Sequence, residues 1–186
     1  MLPFSPEEIF VGIYKKKMYI MVHRKLEDNS MKLSNLLSPE LIKIPLDSHD
    51  KEGTIRELVD VLARNQKVSD PRAVLDAVLE REKVMSTGVG QGIAIPHGKT
   101  ESANGVVAAL GISKSDIDFQ AIDEQPVHIV FLLLAPPYET GLHLKALSRV
   151  SRLLSKENFR AKLLKSADAE EAMQYIQEEE KKYFEM

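Results

Sequence analysis

The chain has 186 residues, a formal net charge of −3 and no cysteine. That length suits one domain able to bury a core without staples, and the missing thiols exclude a cysteine nucleophile and thiolate metal sites. A mildly acidic balance disfavours nucleic acid as a partner, and no apolar run reaches membrane-spanning length, since even Ile129 to Ala135 stops at Pro136-Pro137.

Residues 1–30 read as an N-terminal extension, an arm or a hairpin. Two apolar patches are split by Lys15-Lys16-Lys17 and followed by the polar run Glu27-Asp28-Asn29-Ser30. A secretory signal carries its charges first, so this order points to a cytoplasmic protein. The domain proper is expected over 31–186, starting at Met31. His23 receives no role.

Leu41 to Leu46 alternates well enough for an edge strand, with Pro45 limiting its pairing. Asp47-Ser48-His49-Asp50 is turn chemistry, which makes His49 a solvated turn residue. Ile55, Leu58, Val59 and Leu62 recur at helical spacing and predict a helix over 51–66. Asp70-Pro71 starts another, with the aspartate as cap and the proline in the first turn. Its apolar stripe is Val74, Leu75, Val78 and Leu79, and the next positions on the stripe are Arg81 and Glu82. Two readings stand side by side: a last turn solvated beyond the core, or Arg81 aimed into a pocket opened by the glycines that follow.

Those glycines belong to the stretch that organises the chain, Ser86-Thr87-Gly88-Val89-Gly90-Gln91-Gly92-Ile93-Ala94-Ile95-Pro96-His97-Gly98. Ile93-Ala94-Ile95 reads as a short buried strand that stops at Pro96-His97-Gly98, because Pro96 cannot donate to a ladder and Gly98 lets the chain turn away. Alternation puts His97 on the side of Ile93 and Ile95, the one member of that row able to do chemistry. A P-loop is excluded because five residues separate Gly92 from Gly98 where four are needed. A dinucleotide fingerprint is excluded because Ile93 stands at its third glycine and the glycines precede the strand. A histidine satisfied by turn hydrogen bonds remains the plain alternative to a reactive one.

Val106 to Ile112 predicts a strand, a polar loop follows it, and Phe119 to Pro126 leads into Val127 to Ala135, the strongest and most central strand, with His128 near its start facing solvent. A helix follows from Leu142 to Leu154, its buried stripe Leu144, Leu147, Val150 and Leu154, with Lys145, Arg149 and Arg152 outside. His143 falls in its first turn, where free N–H groups and the positive dipole end favour a neutral imidazole beside an anion. Amphipathic helices over 158–165 and 169–180 complete the chain.

Two histidines thus stand at comparable places, one where a strand ends and one where a helix begins after a strand. Sites in α/β folds gather at such ends. A metal would need a third protein ligand, and serine hydrolysis a Gly-x-Ser-x-Gly turn; neither is present, and no cofactor is implied. Phosphoryl transfer needs less. A neutral imidazole nitrogen attacks phosphorus while Thr87, His143, Arg81 and glycine-loop N–H groups steady the phosphoryl oxygens.

Arg81-Glu82-Lys83, the stretch from Ser86 to Gly98, Ala121-Ile122-Asp123-Glu124-Gln125-Pro126-Val127 and His143-Leu144-Lys145-Ala146-Leu147-Ser148 together resemble the enzyme IIA domains of the fructose and mannitol class in the bacterial sugar phosphotransferase system. The resemblance runs from about Met31 to the C-terminus and implies an α/β/α fold, a mixed β-sheet sandwiched between helices. It implies that His97 accepts a phosphoryl group from the histidine-containing phosphocarrier protein and gives it to an enzyme IIB partner. His143 corresponds to the second active-site histidine, Arg81 to the basic residue near the phosphoryl group, and Thr87 to a further motif position, with Gly98 expected to help bind the phosphoryl group. IIB domains of this class carry the group on cysteine, so a chain without cysteine is expected to pass it to another molecule. The same resemblance admits the nitrogen-related branch, whose stand-alone IIA proteins bind and control targets, such as a transporter or kinase, according to phosphorylation state.

Overall fold

The computed structural model describes residues 32–184; the expected arm or hairpin at 1–30 lies outside the described residues. Along the chain come α1 (Leu33–Leu36), β1 (Ile42–Lys43), α2 (Lys51–Arg64), α3 (Pro71–Val84), β2 (Gly88–Gly90), β3 (Ile93–Ala94) and β4 (His97–Lys99). Then follow β5 (Val107–Ile117), β6 (Val127–Ala135), α4 (Thr140–Leu154), α5 (Glu157–Lys165) and α6 (Ala169–Phe184). The six strands form one mixed sheet in an α/β/α sandwich, with β6 antiparallel to β5 on one side and parallel to β3 and β4 on the other. β6 is apolar on both faces because both are covered, by α2 on one and by α4 and α5 on the other. Among the described residues no helix is long and apolar enough to cross a membrane.

The expected stop at Pro96 is only a pause. Ile93 pairs with Ile129 and His97 with Leu133, so β3 and β4 are two pieces of one line in unbroken register along β6. Pro96 has no N–H to give, but its carbonyl still accepts from Leu133 N–H at 3.0 Å, and the ladder survives the proline. His97 therefore begins a strand at the sheet's rim and inherits that strand's rigidity.

The glycine stretch is a β-hairpin. Gly90 pairs with Ile93 across Gln91 and Gly92, whose φ angles of 58° and 76° are those of a two-residue turn matched to strand twist. Gly88 answers a different need, because a Cβ there would lie 2.8 Å from the Ala121 backbone. Gly88→Ala is expected to cost about 1–3 kcal/mol by forcing that backbone aside, read as a lower urea midpoint.

Other expectations shift for identifiable reasons. The edge strand expected over Leu41 to Leu46 contracts to two residues, beside β5. β5 continues to Ile117 through the expected polar loop, with irregular register between Ile112 and Ile117, where Ser113 Oγ–H donates to the Ser115 carbonyl at 2.6 Å. Asp70 caps α3 as expected, accepting from the N–H groups of Arg72 and Ala73, both at 3.0 Å. On α3, Val74, Leu75 and Val78 are buried and Glu82 takes the next inward position, so the solvated reading of that turn fails. On α4 the inward stripe is His143, Ala146, Val150, Leu153 and Leu154. Leu144, expected on it, is exposed, because the helix turns the imidazole toward the sheet and leaves the leucine outside.

Candidate active site

β4 and the start of α4 bring His97 and His143 together, their ring centroids 5.8 Å apart and their planes at 59°. His97 is half-buried. Its Nδ1 lies 2.8 Å from the Ile95 carbonyl, which can only accept, so Nδ1 carries the ring proton and Nε2 the lone pair. Arg81 reaches from α3 to donate its Nε–H to that Nε2 at 3.2 Å and anchors its Nη1 on the Met85 carbonyl at 3.0 Å. Burial holds the His97 pKa below its ordinary value, with the Arg81 charge acting in the same sense, against the Ile95 carbonyl and Glu82. The ring therefore favours its neutral form at pH 7.

His143 is only 3% exposed. Burial first, then His97 and the Lys99 charge, push its pKa down to about 4, while a hydrogen bond to the Leu133 backbone acts the other way. Its Nε2 is buried with no hydrogen-bond partner. An unpaired buried nitrogen costs free energy unless something arrives to use it. Lys99, which the sequence reading passed over, stands two residues along β4 from His97 and ties the start of α4 to the strand through Nζ to Thr140 Oγ1 at 2.8 Å.

Thr87 and Gly98 sit close by but face other duties. The Thr87 hydroxyl is spent on Glu82 Oε2 at 2.6 Å and the residue is 4% exposed, so the expected donation to phosphoryl oxygens gives way to a role behind the histidine. Gly98 has its N–H in the ladder to β6, and a Cβ on it would meet Val78 Cγ2 of α3 at 3.2 Å. Its contribution is close packing of strand on helix. The hairpin turn's backbone groups are also engaged elsewhere: the Gly92 carbonyl accepts from His128 and Ile129 N–H at the start of β6, and Gln91 N–H is held by Asp123 Oδ2 at 2.9 Å. His49 and His128 both meet Ser115, at its hydroxyl and its carbonyl, also near the start of β6 and well away from Leu133. His128 is half-buried there, short of the solvent-facing position expected.

Removing the cation while keeping the length, Arg81→Met, is expected to slow phosphoryl acceptance roughly a hundredfold with little change in stability. Single-turnover labelling alongside thermal melting checks both halves.

Residues 35–179 match the family described as phosphoenolpyruvate-dependent sugar phosphotransferase system, EIIA 2. Over 143 residues the chain is 43% identical to the PTS system fructose-specific EIIABC component of Bacillus subtilis, covering 77% of this chain and 22% of that protein. It thus spans under a quarter of that relative's length. Among solved structures, nitrogen regulatory protein IIA-Ntr from Neisseria meningitidis superposes with a TM-score of 0.72 at 30% identity, covering 77% of this chain and 98% of that one. Enzyme IIA mannitol from Escherichia coli, solved in complex with phosphorylated enzyme IIB mannitol, shares the fold with a TM-score of 0.65 at 22% identity, covering 75% and 96% of the two chains. With the match extending over most of the chain and across both histidines, the protein belongs to the EIIA type 2 family of the phosphoenolpyruvate-dependent sugar phosphotransferase system.

Proposed function

We propose that this protein is a cytoplasmic phosphoryl carrier that works through a phosphohistidine at His97. The observation that carries the reading is an imidazole with its lone pair fixed on Nε2, beside an arginine and facing a second, neutral imidazole whose Nε2 is unpaired. In the forward step His97 Nε2 attacks the phosphorus of a phosphorylated histidine on the histidine-containing phosphocarrier protein. The new nitrogen–phosphorus bond forms as the donor's breaks, and the electron pair returns to the donor ring. Arg81 Nε–H moves its hydrogen bond from Nε2 to a phosphoryl oxygen, and the incoming negative charge draws a proton from solvent onto His143 Nε2, which then donates to a second phosphoryl oxygen. Transfer onward to an enzyme IIB protein or domain is the same step reversed, onto a different nucleophile.

Exposed apolar side chains flank the pair: Met85 beside the arginine anchor, and Leu142 and Leu144 on either side of His143. They suit transient docking of a protein donor and acceptor. The family match beginning at residue 35 supports a domain that starts near Met31, with 1–30 as an extension. Incubation with phosphoenolpyruvate and the upstream donors should load one acid-labile phosphoryl group per chain, with phosphorus–nitrogen coupling at His97 Nε2. A stable ester or coupling to another residue would contradict the reading.

Similarity to a nitrogen regulatory IIA over nearly all of that chain favours a second reading, in which phosphorylation switches binding to a regulated target such as a transporter or kinase. Pull-downs with phosphorylated and unphosphorylated protein separate the two, since a switch must prefer one form.

A further inference from the structure

Glu82 is 6% exposed at a position where the α3 stripe calls for an apolar side chain. Both of its oxygens are occupied. Oε1 accepts Thr87 N–H at 2.9 Å and pairs with Lys51 Nζ at 3.1 Å, and Oε2 accepts the Thr87 hydroxyl at 2.6 Å. Two bonds from one carboxylate fix Thr87 in place and in orientation. The Thr87 carbonyl in turn accepts Ile95 N–H at 3.0 Å, and the Ile95 carbonyl accepts His97 Nδ1–H at 2.8 Å. Ile95 lies in the break between β3 and β4, and the proline after it has no N–H with which to anchor the peptide.

We infer that Glu82 is a positioning residue for His97: acting through Thr87 and the Ile95 carbonyl, it keeps the ring proton on Nδ1 and leaves Nε2 as the nucleophile. The inference rests on His97 being the phosphoryl acceptor. Arg81 and Glu82, neighbours on α3, then govern the two ring nitrogens separately, one directly at Nε2 and the other through the backbone at Nδ1. An unconstrained neutral imidazole favours the proton on Nε2, which would blunt attack from that atom, so holding Nδ1–H has a chemical purpose. A leucine at 82 could fill the volume, and burying an ion pair gains little stability over apolar packing. What a leucine lacks is a pair of directed acceptors for Thr87.

The test reads the tautomer directly, by the ring nitrogen chemical shifts of His97 in Glu82→Gln and in Thr87→Val. Glu82→Gln keeps the shape with one acceptor oxygen, and is expected to convert the single Nδ1–H form into a mixture and to slow phosphoryl acceptance roughly tenfold. Thr87→Val removes only the hydroxyl and is expected to move the tautomer ratio the same way by less. A merely structural role would lower the melting temperature and leave the tautomer alone. Parental nitrogen shifts in a folded Glu82→Gln protein overturn the proposal; if that variant does not fold, parental shifts in Thr87→Val overturn it. Failure of the parent to accept a phosphoryl group at His97 would instead defeat the carrier reading and leave the tautomer measurement standing.

Discussion

Replacing His97 with alanine should abolish phosphoryl loading while leaving the fold in place. The side chain is half-buried at the sheet's rim and makes two hydrogen bonds, whereas the backbone of β4 keeps its pairing with β6 whatever stands at 97. Losing those bonds costs about 1–3 kcal/mol, within the margin of an ordinary domain. The chemical loss has no such bound, because alanine removes the Nε2 lone pair that Arg81 faces. His143→Ala provides the contrast: it keeps the nucleophile, removes the companion ring, and should still load, roughly a hundredfold more slowly. Label incorporation from phosphoenolpyruvate through the donor proteins checks both. Label persisting in His97→Ala would exchange the roles of the two rings or end the case for either.

Acidification should destabilise the protein between about pH 6.5 and 4, with His143 the main cause. Its folded pKa of about 4 lies below the ordinary 6.5, so as pH falls the unfolded chain takes up the proton first. Stability is therefore complete above pH 6.5, drains through that window, and loses roughly 3 kcal/mol from this group once both states are protonated. His97, also depressed by burial, adds in the same direction. Paired carboxylates such as Glu57, which burial pushes up but Lys43 and the backbone N–H groups of Asp47 and Ser48 together hold below the usual value, lose their contribution only at lower pH. Urea unfolding at pH 7, 5.5 and 4.5 checks the slope. A parallel series on His143→Leu should be flatter across that window; an unchanged slope would mean that the buried ring is not the group that titrates.

The same burial that sets this pH dependence also makes His143 useful. A neutral, unpaired nitrogen beside His97 is costly in the resting state, and on the carrier reading the arriving phosphoryl charge favours its protonation, which turns it into a donor to the phosphoryl oxygens. On the carrier reading, acid weakness and phosphoryl recognition share one physical origin.

Periodicity and turn chemistry by themselves determined much of this protein: the helices from Lys51 and Asp70-Pro71, the two-faced apolar run of β6, and the special standing of His97 between Pro96 and Gly98. These are properties of neighbouring residues, and spacing along the chain is enough to reveal them. Only the tertiary structure decided what the charges at Arg81 and Glu82 face, because periodicity marks an inward position without saying whether apolar packing or a polar partner waits there. It alone rotated α4 so that His143 turns inward and Leu144 outward, since two stripes one residue apart share the same later members. The site itself is a long-range object: Arg81, Ile95, His97 and His143 come from three separate elements and the break between two strands, and their geometry exists only once β4 is zipped to β6 and α4 closes over its end.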